Sequence, residues 1–150
     1  MIWGGISTMG PTDICVIKGT VNQEKYVEIL NDYLLPSANA YYGNDWVLQQ
    51  DNAPPHVSRS SQEWLAQNVP AVLAWPPNSA DLSPIENMWG IVKDRVEKEN
   101  AKTFDNFKAD IVKIWTDLDP ELSSRLIAGV PNRLRWCRDH HGEQVPRNFS

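Results

Sequence analysis

"WVLQQDNAPPH", residues 46–56, runs a short apolar strand straight into an acid, Asp51, which Asn52, two prolines and His56 then follow. Two readings compete for it. Asp and Asn bond to their own backbone and start turns, and Pro54-Pro55 disfavours strand and helix alike, so the stretch reads as a turn. Alternatively, the strand delivers Asp51 to the edge of a sheet, where a carboxylate can meet a metal ion. The flanking elements bear on the choice.

Upstream, residues 2–7 and 12–17 are strand-like runs around Thr8-Met9-Gly10-Pro11, a β-hairpin signal. Asn22 can cap a helix in which Tyr26, Ile29, Leu30, Tyr33 and Leu34 recur at helical spacing, with Pro36 expected to stop it. Downstream, residues 58–68 read as a polar helix carrying Trp64 and Leu65. "AVLAW", 71–75, closed by Pro76-Pro77, reads as a buried strand. Ile85, Met88, Trp89, Val92 and Val96 then form a helical stripe. Thr103 caps a further helix with Phe104, Phe107, Ile111, Trp115 and Leu118 expected inward. Pro120 and Pro131 open the last two helical pieces, and Gly142 ends them. Hairpin, helix, strand, helix, strand and then helices make an α/β fold with mixed strand directions. Sites in such sheets form beyond the carboxyl ends of parallel strands, which is where Asp51 falls.

Composition narrows the function classes. The 150 residues suit one domain with one core, expected over 1–142 with a loose tail over 143–150. Hydrophobic residues make up 41%, too many for a disordered chain. No apolar run is long enough to span a membrane, and no secretory pattern opens the chain. Cys15 and Cys137 match no metal spacing and read as free thiols of a reducing compartment. A net charge of −5 argues against a generic nucleic-acid binder. Arg125, Arg133, Arg135 and Arg138 nevertheless cluster near the C-terminus, as either a solvated helix face or a phosphate-facing, DNA-contacting patch.

Glu86, in "SADLSPIENMWG" (79–90), is the second informative acid. One reading is a capping box, with Ser83 as N-cap, Pro84 at the first helical position and Glu86 at the third. The other notes that Glu86 lies off the apolar stripe, beside Gly90 and Lys93. A helix that brings it to the end of the 46–50 strand pairs two carboxylates, which repel unless a cation joins them. Mg²⁺ prefers such hard oxygen ligands.

"QQDNAPPH", the 34 residues separating Asp51 from Glu86, and "WPPNSADLSPIENMWGIVKDRV" together resemble the catalytic domain of mariner-superfamily (DDE-type) transposases. The "MIWGGIS" hairpin, "GTVNQEKYVEILNDYLLP" and "RLRWCRDHHG" fit as well, so the likeness covers nearly the whole chain. It implies a ribonuclease-H-like mixed sheet flanked by helices and a triad of two aspartates and a third acid. Asp51 matches the second aspartate and Glu86 the third acid, as catalytic and metal-binding residues. Asn52 and His56 would shape the loop beside the metal, since Mg²⁺ disfavours imidazole. Two Mg²⁺ ions (Mn²⁺ as substitute), about 3.5–4 Å apart, would serve DNA cleavage and strand transfer. DNA at transposon ends and target, a homodimeric partner and a nuclear location are implied too.

The family's first aspartate lies on a central strand ahead of the hairpin, and here the hairpin begins at Ile2. Asp13 sits in the wrong place, and Asp45 stands about 17 Å from Asp51 along the strand, too far to share an ion. The expectation is therefore an N-terminally truncated domain, lacking that strand and unable to cut DNA alone. Three alternatives stand beside it: a captured, non-enzymatic DNA-associated or protein-interaction module working through the arginines, a ribonuclease or resolvase-like enzyme of the same fold, and a fragment without a role.

Overall fold

The computed structural model describes residues 1–146 and 149, and these divide into two compact units. The first holds 1–5 and 12–79; the second holds 6–11 and 80 onward.

In the first unit, β1 (Ile2–Trp3) pairs antiparallel with β4 (Cys15–Val16). α1 (Gln23–Ile29) begins at Asn22, whose side chain accepts from the Lys25 amide at 2.8 Å. The helical run does not stop at Pro36 as expected. It passes through a π-helical turn, Leu30–Leu34, into α2 (Leu35–Tyr42). The widened turn explains the difference. The Leu35 amide reaches back to the Leu30 carbonyl, and the Ser37 hydroxyl donates to the Tyr33 carbonyl at 3.2 Å, so a proline without an N–H is absorbed at the start of α2.

β5 (Val47–Leu48) and β6 (Ala71–Val72) form a parallel pair, Val47 opposite Ala71 and Leu48 opposite Val72. Between them lie α3 (Pro54–Val57) and α4 (Arg59–Asn68). The two prolines open α3 rather than excluding helix, because the first helical turn needs no backbone donors. The 71–75 strand was expected to be buried and is not. Val47, Val72 and Leu73 are exposed, since a ladder of only two strands leaves apolar side chains on an uncovered sheet. Among the described residues no ladder joins β1–β4 to β5–β6. The unit's core is Tyr26, Leu30, Leu34, Ala38, Leu65 and Val69, backed by Trp3, Trp46 and Trp64.

In the second unit, β2 (Ile6–Ser7) pairs antiparallel with β3 (Gly10–Pro11), so Gly10-Pro11, expected in the turn, forms a strand instead. Gly10 has φ +122°, and a Cβ there would come to 3.4 Å from the Pro120 side chain, so turn and helix contact both favour glycine. A 3₁₀ turn, Ala80–Leu82, leads into α5 (Pro84–Glu99). α6 (Phe104–Thr116), α7 (Pro120–Ala128) and α8 (Val130–Asp139) follow. Met88, Val92, Ile111, Trp115 and Leu118 are buried as their spacing implies, and Trp89 stacks on Trp115 at 4.9 Å. Phe104, expected inward, is exposed; it sits one residue past the Thr103 cap, before α6 meets its neighbours.

Of the tail expected over 143–150, residues 147, 148 and 150 lie outside the described residues. Val145 is buried, and its amide donates to Asp81 Oδ2 at 2.8 Å, which anchors the chain at that point. Both cysteines are free thiols. No helix among the described residues is long and apolar enough to cross a membrane.

Candidate active site

Asp51 stands three residues after the end of β5, and its carboxylate does two things at once. Oδ1 accepts from the Ala53 amide at 3.0 Å, the local turn that Asp favours, and lies 2.6 Å from His56 Nδ1. A contact that short between a ring nitrogen and a carboxylate oxygen places the proton on Nδ1, which donates. Oδ2 has no bonding partner among the described residues, and the side chain is 67% exposed. Turn and metal readings of Asp51 are therefore compatible: the turn fixes one oxygen and leaves the other open.

The loop around Asp51 is held on several sides. Asn52 Nδ2 donates to the Trp75 carbonyl at 3.0 Å, tying the loop to the segment after β6. Gln62 Nε2 donates to the His56 carbonyl at 2.9 Å. The fully buried Ser61 donates from Oγ to the Pro55 carbonyl at 2.6 Å, and Ser58, the cap of α4, bonds Ser61 Oγ at 2.9 Å. The α3–α4 corner is thus cross-braced by hydroxyls that would be costly to leave unpaired.

Tyr26 enters this arrangement from α1. Sequence spacing makes it one member of an apolar stripe, and it is indeed buried. Its ring stacks on His56 with centroids 4.2 Å apart and planes 29° apart, and its hydroxyl donates to Gln50 Oε1 in a short bond. Burial, and secondarily the Asp51 carboxylate, push the Tyr26 hydroxyl well above its ordinary range, so it stays an O–H donor. Neither Tyr26 nor Gln50 stands out as a site residue in sequence. A helical stripe shows which side chains face inward, but not what a buried hydroxyl meets there.

Glu86 sits in the first turn of α5, in the second unit, and is exposed. The capping box is not formed. Ser83 makes no side-chain cap bond to the helix, and its own amide already donates to the Ala80 carbonyl at 3.0 Å, leaving Glu86 nothing to reach back to. The Glu86 carboxylate has no hydrogen-bond or ion-pair partner among the described residues. One turn on, Gly90 has nothing within 4 Å of where a Cβ would stand.

The four arginines are largely engaged within the second unit. Arg133 is buried, 8% exposed, and donates to the Asp81 carbonyl at 3.3 Å. Arg125 lies 3.8 Å from Asp119 and 3.7 Å from Glu121, Arg135 donates to Asn132, and Arg138 pairs with Asp139 at 2.8 Å. Among the described residues no three His, Cys, Asp or Glu side chains cluster to hold a metal.

Residues 1–108 match the family model described as DDE superfamily endonuclease. The transposase of the transposable element Tcb1 from Caenorhabditis briggsae is 33% identical over 144 residues, 95% of this chain and 52% of that protein. The chain thus spans about half the length of that curated relative. Among solved structures, the catalytic domain of the Mos1 mariner transposase matches at TM-score 0.86 and 21% identity, over 97% of this chain and 75% of that one. A Mos1 paired-end complex with Mn matches at TM-score 0.86 and 20% identity, over 97% of this chain and 44% of that one. The fold is therefore ribonuclease-H-like, and the chain belongs to the DDE superfamily of endonucleases, among relatives of the Tc1/mariner transposases.

Proposed function

We propose that this chain is the DNA-processing part of a Tc1/mariner-type transposase. In this reading Asp51 and Glu86 are each metal-binding acids, as the resemblance implies, for Mg²⁺ or Mn²⁺ that would serve the cutting and joining of DNA. The observation that carries it is the Asp51 carboxylate, with Oδ1 fixed by two donors while Oδ2 stays open and exposed. Glu86 adds a second carboxylate with no capping role. Both offer the hard oxygens that Mg²⁺ takes, and the one nearby imidazole spends Nδ1 on Asp51 rather than on a metal.

A cation held there would supply Lewis acidity for activating water or a DNA 3′-hydroxyl and for steadying the leaving oxygen. The chain's residues supply orientation. Ala53 and His56 keep the Asp51 carboxylate from rotating, Asn52 fixes the loop, and Pro84 at the start of α5 sets the helix turn that carries Glu86. The resemblance calls for three acids and finds matches for two. A third, on a strand ahead of Ile2 in the family, would have to come from a segment other than residues 1–150. DNA at transposon ends and target, a homodimer and a nuclear location belong to the same reading. The non-enzymatic reading through the arginines has less support, because Arg133 is buried and the other three already have polar or acidic partners.

The test is Mg²⁺-dependent nicking of a transposon-end duplex, with the chain alone and with a separately supplied segment carrying the family's first strand. Cleavage that needs both pieces and vanishes in Asp51→Asn supports the reading. A folded two-piece complex that binds the duplex and never nicks it overturns the reading.

A further inference from the structure

Tyr26 lies outside the two motifs that carry Asp51 and Glu86, yet it touches the Asp51 loop on both sides. Its hydroxyl bonds Gln50, the residue immediately before Asp51, and its ring lies against His56, the residue that bonds Asp51 Oδ1. We infer that Tyr26 is a positioning residue: a buried clamp on α1 that holds Gln50 and His56 so that Asp51 presents Oδ2 to a cation. The inference rests on the proposed metal-binding role of Asp51 and adds the residue that sets its geometry.

The physical case has three parts. His56 sits on a four-residue helical turn, Pro54–Val57, too short to hold a ring orientation by itself. Its Nδ1–H must lie in the plane of its imidazole to meet Asp51, so whatever fixes the ring plane fixes the bond. The stacked Tyr26 ring does that, and Gln62 bonding the His56 carbonyl holds only the backbone. On the other side, Gln50 is half-buried with its side-chain oxygen committed to Tyr26, which limits rotation of the chain entering Asp51. Tyr26 itself is 2% exposed and seated among Leu30, Leu34, Leu65 and Val69, so the clamp is anchored in the core. Partners that orient a metal-binding side chain typically matter by about 10–100-fold in metal affinity.

Two substitutions separate the two contacts. Tyr26→Phe keeps the ring and loses the hydroxyl; Tyr26→Leu loses both. Two readouts apply to each in the full chain: the ¹⁵N chemical shifts of His56, which report whether Nδ1 carries the proton, and Mn²⁺ affinity by electron paramagnetic resonance. In the parent and in Tyr26→Phe, the Nδ1 proton should stay fixed, while in Tyr26→Leu the two tautomers should mix. Mn²⁺ affinity should fall about tenfold in Tyr26→Phe, matched by Gln50→Ala, and further in Tyr26→Leu. A folded Tyr26→Leu protein with the parent's His56 shifts overturns the clamp. Should Tyr26→Leu fail to fold, unchanged Mn²⁺ affinity in both Tyr26→Phe and Gln50→Ala overturns it instead. A parent that binds no Mn²⁺ refutes the metal reading, and the clamp then stands or falls on the His56 shifts.

Discussion

Replacing Glu86 with Gln separates a capping carboxylate from a working one. In a formed capping box, the acid three residues into a helix bonds the cap's amide, and disrupting such a cap costs about 1 kcal/mol. Here that bond is not made: the Ser83 amide goes to the Ala80 carbonyl, and Glu86 points to solvent without a partner among the described residues. What Glu86→Gln removes is the charge near the helix N-terminus, worth about 0.3–1 kcal/mol when exposed and less in salt. The variant should therefore lose no more than about 0.5 kcal/mol at physiological salt, near the floor of a urea titration read by linear extrapolation. Its m-value should match the parent's. Cation affinity should fall in the same protein. A loss of about 2 kcal/mol or more, with Mn²⁺ affinity untouched, would refute the reasoning and return Glu86 to a structural role.

Further outcomes follow from the packing. Gly90→Ala, at an exposed mid-helix position with open space for a Cβ, should gain about 0.8–1 kcal/mol, read as a rise of about 2–4 °C in Tm. Met88→Ala, at a fully buried position in α5, should cost about 2–5 kcal/mol by urea denaturation. Thr103→Ala removes the side chain that accepts from the Asn106 amide at 3.1 Å and should cost about 1 kcal/mol. Tyr26 gives a pH dependence. Its hydroxyl titrates above the ordinary 10.0 when folded, so its stabilising contribution is complete below about pH 10 and is lost as pH rises toward the folded value. Denaturation at pH 9 and pH 11 should show that loss in the parent, and Tyr26→Phe should be flatter across the same interval.

Asp51 and Glu86 stood out in the sequence as candidates because their surroundings are chemically unusual. A strand running into Asp-Asn-Ala-Pro, and a Ser-Pro-Ile-Glu helix start, each restrict backbone geometry strongly enough to be read locally. Core positions were legible for a related reason: Met88, Val92, Ile111 and Trp115 repeat at helical spacing, and burial follows the repeat. What was not legible depended on neighbours distant in the chain. Pro36 carries a local stop signal, yet a π turn absorbs it because Leu30 and Leu34 are both drawn into one core. "AVLAW" has the composition of a buried strand, yet its exposure depends on what covers the sheet. The capping box had every residue it needs, and the preceding 3₁₀ turn took the amide first. Arg133 looked like one of four equivalent surface cations, and only the fold shows it buried against Asp81.

The proposed metal-binding roles of Asp51 and Glu86 are addressed most directly by a double-mutant cycle on Mn²⁺ affinity. The parent, Asp51→Asn, Glu86→Gln and the double variant are titrated under one buffer and salt. Shared coordination predicts that either single change removes most of the binding and that the second adds little, a coupling well above the 0.3–0.5 kcal/mol expected of independent sites. Two small losses that simply add, or affinities that do not move, would contradict it.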